Sequence, residues 1–162
     1  RVTDQTLPGP LRACSAANVT AWAALAPGAG CDLESALPGL EGPAETWIER
    51  LELAGDPPGT SLARYASGPY RDAPALAARR LGQGTTYSLG FAPSRAQAKA
   101  VLSHLAGELA LPVVAGLPPG LVAARRGQYQ VFLNFSERPL ALEYAGQAYT
   151  IRTRDLLVVS SG

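Results

Sequence analysis

Along Tyr87, Leu89 and Phe91 apolar residues recur every second position. From Ala98 through Val101, Leu102, Leu105 and Leu109 they recur every third or fourth. The first spacing is one face of a sheet and the second is one face of a helix. Gly82 and Gly84, just upstream, permit the positive φ of a tight turn. Thr85, Thr86 and Tyr87 favour extended backbone, and Ser94 stands where a helix N-cap belongs. Residues 79–91 therefore predict a turn, a buried strand and an exit into a helix over 94–109. Strand, turn and helix in that order are the unit of an α/β sheet. With no base, metal-ligand set or phosphate loop beside it, the stretch reads as a scaffold element whose best claim to function is holding an interface.

The same pattern, followed from the start, gives a turn at Leu7-Pro8-Gly9-Pro10 and helix-forming residues over 11–17. Pro10 suits a first helical turn, where its missing N–H costs nothing. Residues 18–25 read as a strand. Residues 26–45 read as a long loop punctuated by Pro27-Gly28, Pro38-Gly39 and Gly42-Pro43, and a loop of that length in a compact domain is usually functional. Strands are expected over 46–53, 62–66 and 74–80. They are separated by turns at Gly55-Asp56-Pro57-Pro58-Gly59 and at residues 67–72.

After Leu111 the prolines Pro112, Pro118 and Pro119 break the helical pattern. Short strands then recur at 121–126, 129–135, 140–144, 148–152 and 156–160, which argues an antiparallel all-β module. The chain is accordingly divided into residues 1–111, α/β, and residues 112–162, a small β-sandwich. Tyr129, Val131, Leu133 and Phe135 share one strand face with Gln130, Phe132 and Asn134 on the other. Phe132 is expected to dock on a neighbour.

Composition narrows the function classes. A net charge of +1 with 17% charged residues suggests neither a nucleic-acid surface nor an acidic tail. No apolar run reaches the roughly 20 residues that span a bilayer, and the opening at Arg1 shows no signal peptide. Nucleic acid and membrane are therefore not expected as partners. The chain has no Met, which points to a processed or partial piece. One lysine, Lys99, against thirteen arginines fits a GC-rich bacterial genome. Cys14 and Cys31 match no zinc spacing, which requires four ligands when His104 is the sole histidine. They could bridge only with Cα atoms within about 7 Å. Two buried free thiols in a cytoplasmic protein is the expected reading.

No catalytic constellation assembles from these residues. Cys14 lies in an Ala-rich stretch without the glycines of a strained nucleophile turn, and His104 sits mid-helix beside apolar positions. Glu41, Glu45, Glu49 and Glu52 cluster in sequence, and glycoside hydrolysis needs two carboxylates about 5–10 Å apart. However, Glu49 and Glu52 fall on a strand face that meets solvent. Gly82-x-Gly84 precedes a strand and is too short for a dinucleotide fingerprint, so it reads as a hairpin turn. Asn18-Val19-Thr20 and Asn134-Phe135-Ser136 match the glycosylation sequon, which has meaning only with secretion. No residue is assigned a catalytic, cofactor-binding or metal-ligating role, and no cofactor is expected.

Serial motifs carry a resemblance. Leu7-Pro8-Gly9-Pro10-Leu11-Arg12 is followed by Glu45-Thr46-Trp47-Ile48-Glu49-Arg50-Leu51 and Ala63-Arg64-Tyr65-Ala66-Ser67-Gly68-Pro69-Tyr70. Then come Pro74-Ala75-Leu76 and Gly82-Gln83-Gly84-Thr85-Thr86-Tyr87-Ser88-Leu89-Gly90. In this order they resemble the C-terminal region of family 42 β-galactosidases. Arg125-Arg126-Gly127 and residues 129–136 resemble that family's small C-terminal β domain. Residues 12–18 depart from the family's usual apolar Leu/Gly turn.

The resemblance implies a catalytic (β/α)8 barrel, an α/β trimerisation domain and a β-sandwich, with two catalytic glutamates on the barrel. None of the barrel is in this chain, so neither glutamate maps onto it, and the α/β domain is expected to be entered midway. The implied fold is a partial flavodoxin/amidotransferase-like sheet with flanking helices. The implied role is non-catalytic, as a homo-oligomer, trimeric in the family, that meets a galactoside substrate only through the missing barrel. Two alternatives stand beside it. One is a stand-alone carbohydrate-binding or protein-interaction module, with a sugar on Tyr65, Tyr70 or Tyr144. The other is an amidotransferase-like enzyme using Cys14.

Overall fold

Among the described residues, every strand pairing up to residue 100 is antiparallel. A computed structural model describes residues 9–160, and the chain divides into two units, Arg1–Ala110 and Leu111–Gly162. Leu7 and Pro8 of the expected first turn lie outside the described residues.

In the first unit a short 3₁₀ helix, Gly9–Cys14, leads into β1 (Ala17–Ala24), so the helix expected over 11–17 is a 3₁₀ segment that ends at Cys14. β2 (Cys31–Ser35), β3 (Pro43–Leu53), β4 (Thr60–Tyr65), β5 (Pro74–Leu81), β6 (Gly84–Leu89) and β7 (Phe91–Ala92) follow, and then α1 (Arg95–Glu108). The sheet runs β1-β3-β2-β4-β5-β6, with β7 returning to pair β3.

This corrects the expected α/β, flavodoxin-like class: among the described residues the unit is an antiparallel sheet with one α-helix laid on it. Parallel strands need long crossovers, usually helical. Here the connections are short, and the Gly82-Gln83 turn joins β5 to β6 as a hairpin, Leu81 opposite Gly84. The segment 26–45, expected as a loop, contains β2. Its Cys31 and Leu33 are buried and its Asp32 and Glu34 exposed, the alternation of a half-buried strand.

Gly90 is where the sheet folds back on itself. Its N–H donates to the Ala75 carbonyl at 2.9 Å, and its own carbonyl accepts the Glu49 N–H at 2.6 Å. A Cβ there would stand 2.9 Å from Leu51 Cγ and 3.0 Å from the Glu49 oxygen, so only glycine fits the crossing. The core beneath gathers Leu40, Ile48, Tyr65, Leu76 and Phe91, all essentially inaccessible. Each such side chain stabilises the fold by roughly 1.5–3 kcal/mol over exposure.

At the start of α1, Ser94 Oγ accepts the Gln97 N–H at 3.2 Å, and Gln97 Oε1 accepts the Ser94 N–H at 2.8 Å. This reciprocal pair is a capping box. Buried Gln97 also donates through Nε2 to the carbonyls of Gly42 (3.4 Å) and Pro43 (3.3 Å). That anchorage sets the helix's rotation. Ala100 and Val101 pack on the core, while Leu102 and Leu109 of the expected apolar face are 64% and 67% exposed.

The second unit contains β8 (Leu121–Arg126), β9 (Tyr129–Asn134), β10 (Leu140–Tyr144), β11 (Gln147–Ile151) and β12 (Leu156–Ser160). They form two antiparallel sheets, β12-β9-β8 and β10-β11. Between them lie Leu121, Phe132, Leu140, Leu142 and Ile151. Phe132 stacks edge-to-face on Tyr144 at 4.9 Å, inside its own unit and not as a docking residue. β9 buries Gln130, Phe132 and Asn134 and turns Tyr129 outward, the reverse of what its apolar spacing suggests. The polar pair is tolerated because it is bonded. Gln130 Nε2 donates to the Ala124 carbonyl at 3.0 Å, and Asn134 is satisfied at both ends.

Candidate functional site

A groove of about 280 Å³ opens on the first unit where the 3₁₀ helix, β3 and β6 converge. Leu11 and Cys14 line one side and Tyr87 and Leu89 the other, with Val19, Glu49 and Leu51 between them. Ser15 and Ser88 hold the two sides together. Their hydroxyls lie 2.9 Å apart, and Ser88 Oγ accepts the N–H groups of Ala16 (3.2 Å) and Ala17 (3.3 Å). Ser88 thereby ties the 3₁₀ exit to β6.

Glu49 is the charged group of this groove. Burial pushes its carboxyl above the ordinary value, since desolvation disfavours the charged form. Among the described residues no cation lies within ion-pairing distance of it. Directly across the β1–β3 ladder stands Trp22, 66% exposed.

Glu41, Glu45 and Glu52 are exposed, so the four-glutamate cluster does not converge on one point. A lone half-buried carboxylate can attract a cation or a hydrogen-bond donor, but it is not the carboxylate pair that glycoside hydrolysis uses.

The other sequence candidates lie apart. Cys14 and Cys31 are both free thiols. Cys31 is buried, and its thiol is raised first by that burial and then by Asp32. His104 packs edge-to-face on Tyr87 at 6.0 Å, as a packing residue of α1. Among the described residues no group of three metal-ligating side chains comes together, and no helix is long and apolar enough to cross a membrane.

Tyr65 is buried in the core, Tyr70 leans on it at 6.5 Å, and Tyr144 packs on Phe132. Of the three tyrosines considered as a sugar platform, Tyr65 is a core residue, and Tyr70 and Tyr144 are half-buried against the two cores. Asn18 carries a buried Oδ1 without a hydrogen-bond partner among the described residues. Asn134, the other sequon asparagine, spends its amide on three backbone carbonyls.

Sequence reasoning missed the exposed large apolar residues, Leu11, Trp22, Leu102 and Leu109. For Trp22 no alternation signals the exposure. A bulge between Val19 and Ala21 turns the strand so that Trp22 follows Val19 onto the Glu49 face.

A family model described as the beta-galactosidase trimerisation domain matches residues 1–112. The chain belongs to that family. The trimerisation domain is a non-catalytic part of a larger enzyme, and its description marks it as a homo-oligomerising element. A search of curated proteins finds no match.

Among solved structures, a β-galactosidase from Bacillus circulans sp. alkalophilus superposes with a TM-score of 0.78 at 18% identity, over 98% of this chain and 26% of its own. That from Rahnella sp. R3 gives 0.73 at 22% identity, over 95% of this chain and 25% of its own. That from the Antarctic haloarchaeon Halorubrum lacusprofundi gives 0.71 at 20%, over 99% and 25%. At such identities the likeness establishes the fold. The trimerisation-domain chain spans about a quarter of the length of these enzymes.

Proposed function

We propose that this chain is the C-terminal, non-catalytic portion of a β-galactosidase, and that it joins the enzyme's subunits into a trimer. Hydrolysis of terminal β-D-galactosides would belong to a barrel carried by polypeptide outside this chain. The observation that carries the reading is the match of residues 1–112 to a domain described by trimerisation. The quarter-length coverage of solved β-galactosidases supports it.

Two measurements test the reading. Multi-angle light scattering of the full-length protein should give three times the subunit mass. The 162-residue chain incubated with a chromogenic β-galactoside should release no product. Turnover above background by this chain would overturn the non-catalytic assignment, and a monomeric or dimeric full-length protein would overturn the trimeric one.

A further inference from the structure

We propose that the groove holding Glu49 receives helix α1 of a second copy of this chain. In this arrangement Leu102 and Leu109 seat against its apolar walls, and the cations of the same stripe, Arg95 and Lys99, face the carboxylate. The inference rests on the trimeric reading above and names the surfaces that would make it.

A closed ring of three identical subunits cannot use an isologous contact. Each copy must present two different, complementary patches and bind head to tail. The first unit exposes one patch of each kind. Arg95, Lys99 and Leu102 on α1, and Leu109 at its C-cap, are all exposed. At 3.6 residues per turn their spacings of four, three and seven place them on one narrow stripe. Anchorage of Gln97 beneath the helix fixes that stripe outward. Two exposed leucines in line are the anchors that a helix lays into an apolar groove.

The groove supplies the complement. It is walled by Leu11, Val19, Leu51 and Leu89, and it contains an acid with no cation beside it among the described residues. Arg95 and Lys99 are likewise without an ion-pair partner there. An acid in an apolar groove and two cations on an apolar stripe match in sign as well as in hydrophobicity. No residue of α1 lines the groove, so one copy can offer both patches at once. Trp22, exposed across the ladder from Glu49, is the kind of aromatic that dominates interface energies. Both patches lie within the 1–112 match to the trimerisation domain.

Cys14 lines the groove while Cys31 is buried, so the protein carries its own reporter. In the full-length protein, the wild type should be trimeric with Cys14 slow towards a maleimide. Leu102→Glu combined with Leu109→Glu changes only exposed positions and should keep the far-UV circular dichroism. It should lower the mass towards that of one subunit and speed Cys14 labelling several-fold. Independently, Leu102→Cys should form an oxidative cross-link to Cys14 of a neighbouring copy, seen as linked subunits on a non-reducing gel.

A variant that stays trimeric, or one that dissociates with Cys14 still protected, would overturn the inference. In the second case another part of the same polypeptide would be filling the groove. Absence of the cross-link in a trimeric Leu102→Cys protein would overturn it equally. A monomeric wild type would overturn the trimeric reading and this inference together, whereas a trimer indifferent to the helix variants would overturn only this one.

Discussion

The hydroxyl of Tyr65 donates to the carbonyl of Gly90, the residue at which β6 crosses over to become β7. It also lies 3.1 Å from the Glu49 carbonyl, so one phenol on β4 ties the crossing to β3 from inside the core. Tyr65→Phe removes that tie without opening a cavity. Because Gly90's carbonyl keeps the Glu49 N–H, the expected loss is about 1–2 kcal/mol, read by urea denaturation. A second signature follows from burial, which pushes the Tyr65 phenol well above its ordinary value. The folded state then retains a proton that the unfolded chain gives up above pH of about 10. Stability is therefore full below that pH and falls above it. Tyr65→Phe should flatten this alkaline slope, and an unchanged slope would contradict the assignment.

Gly90 itself makes a sharper case. An added methyl would meet Leu51 Cγ at 2.9 Å and the Glu49 carbonyl oxygen at 3.0 Å, one of them rigid backbone. Gly90→Ala should cost about 1–3 kcal/mol through overpacking. Gly107→Ala, where nothing lies within 4 Å of the new methyl, sits on the helix and should be neutral or stabilising. Thermal melts of the two variants side by side give the comparison.

Local chemistry was legible in the sequence wherever a residue's own neighbours decide its conformation. Ser94 marks the N-cap of α1, and Gly82-Gln83 spells the β5–β6 hairpin. The strands after residue 120 are marked by turn residues at close intervals. What escaped was set by partners distant in sequence. A strand followed by a helix looks the same in a βαβ unit and in an antiparallel sheet that ends with a helix. Only the return of β7 to β3 distinguishes them, and that pairing joins Phe91 to Ile48.

The faces of β9 were inverted, and the inward face of α1 was displaced from the expected one, for a related reason. Gln97, Gln130 and Asn134 are polar yet buried, because backbone carbonyls from other segments satisfy them. A hydrophobicity pattern cannot see such acceptors. The two exposed leucines were hidden for the converse reason, since Leu102 and Leu109 read as core until the rotation of the helix is known.

Cys31 offers a check on the first core that is independent of denaturation curves. Its thiol is buried and held protonated above the usual cysteine range, first by desolvation and then by Asp32. The thiolate is the reactive form, so the native protein should leave Cys31 unmodified by a maleimide at pH 7.5. Labelling should become complete once denaturant opens the core. Peptide mapping by mass spectrometry separates it from Cys14, and modification of Cys31 in the folded protein would contradict the packing described.

Asn134 is the most demanding test of the second unit. Its Nδ2 donates to the carbonyls of Arg138 (2.9 Å), Ile151 (3.1 Å) and Arg152 (3.0 Å), which stitches β9 to the turn before β10 and to the end of β11. Its Oδ1 accepts the backbone N–H of Ser136 at 2.8 Å and the Ser136 hydroxyl at 2.7 Å. An amide enclosed in this way cannot carry a glycan without unfolding its surroundings, so the Asn134-Phe135-Ser136 sequon should remain unmodified even in a glycosylating host. Asn134→Asp keeps the acceptor but aims a carboxylate at three carbonyls, and an uncompensated buried charge costs about 3–5 kcal/mol. Protonation would restore one donor, so the folded state should hold that proton to a higher pH than the unfolded chain does. The loss should then be greatest at neutral pH and shrink as pH falls through the carboxylate range. Paired urea titrations of wild type and variant at pH 7 and pH 4 measure the difference. A loss independent of pH would mean that the three carbonyls do not face the side chain.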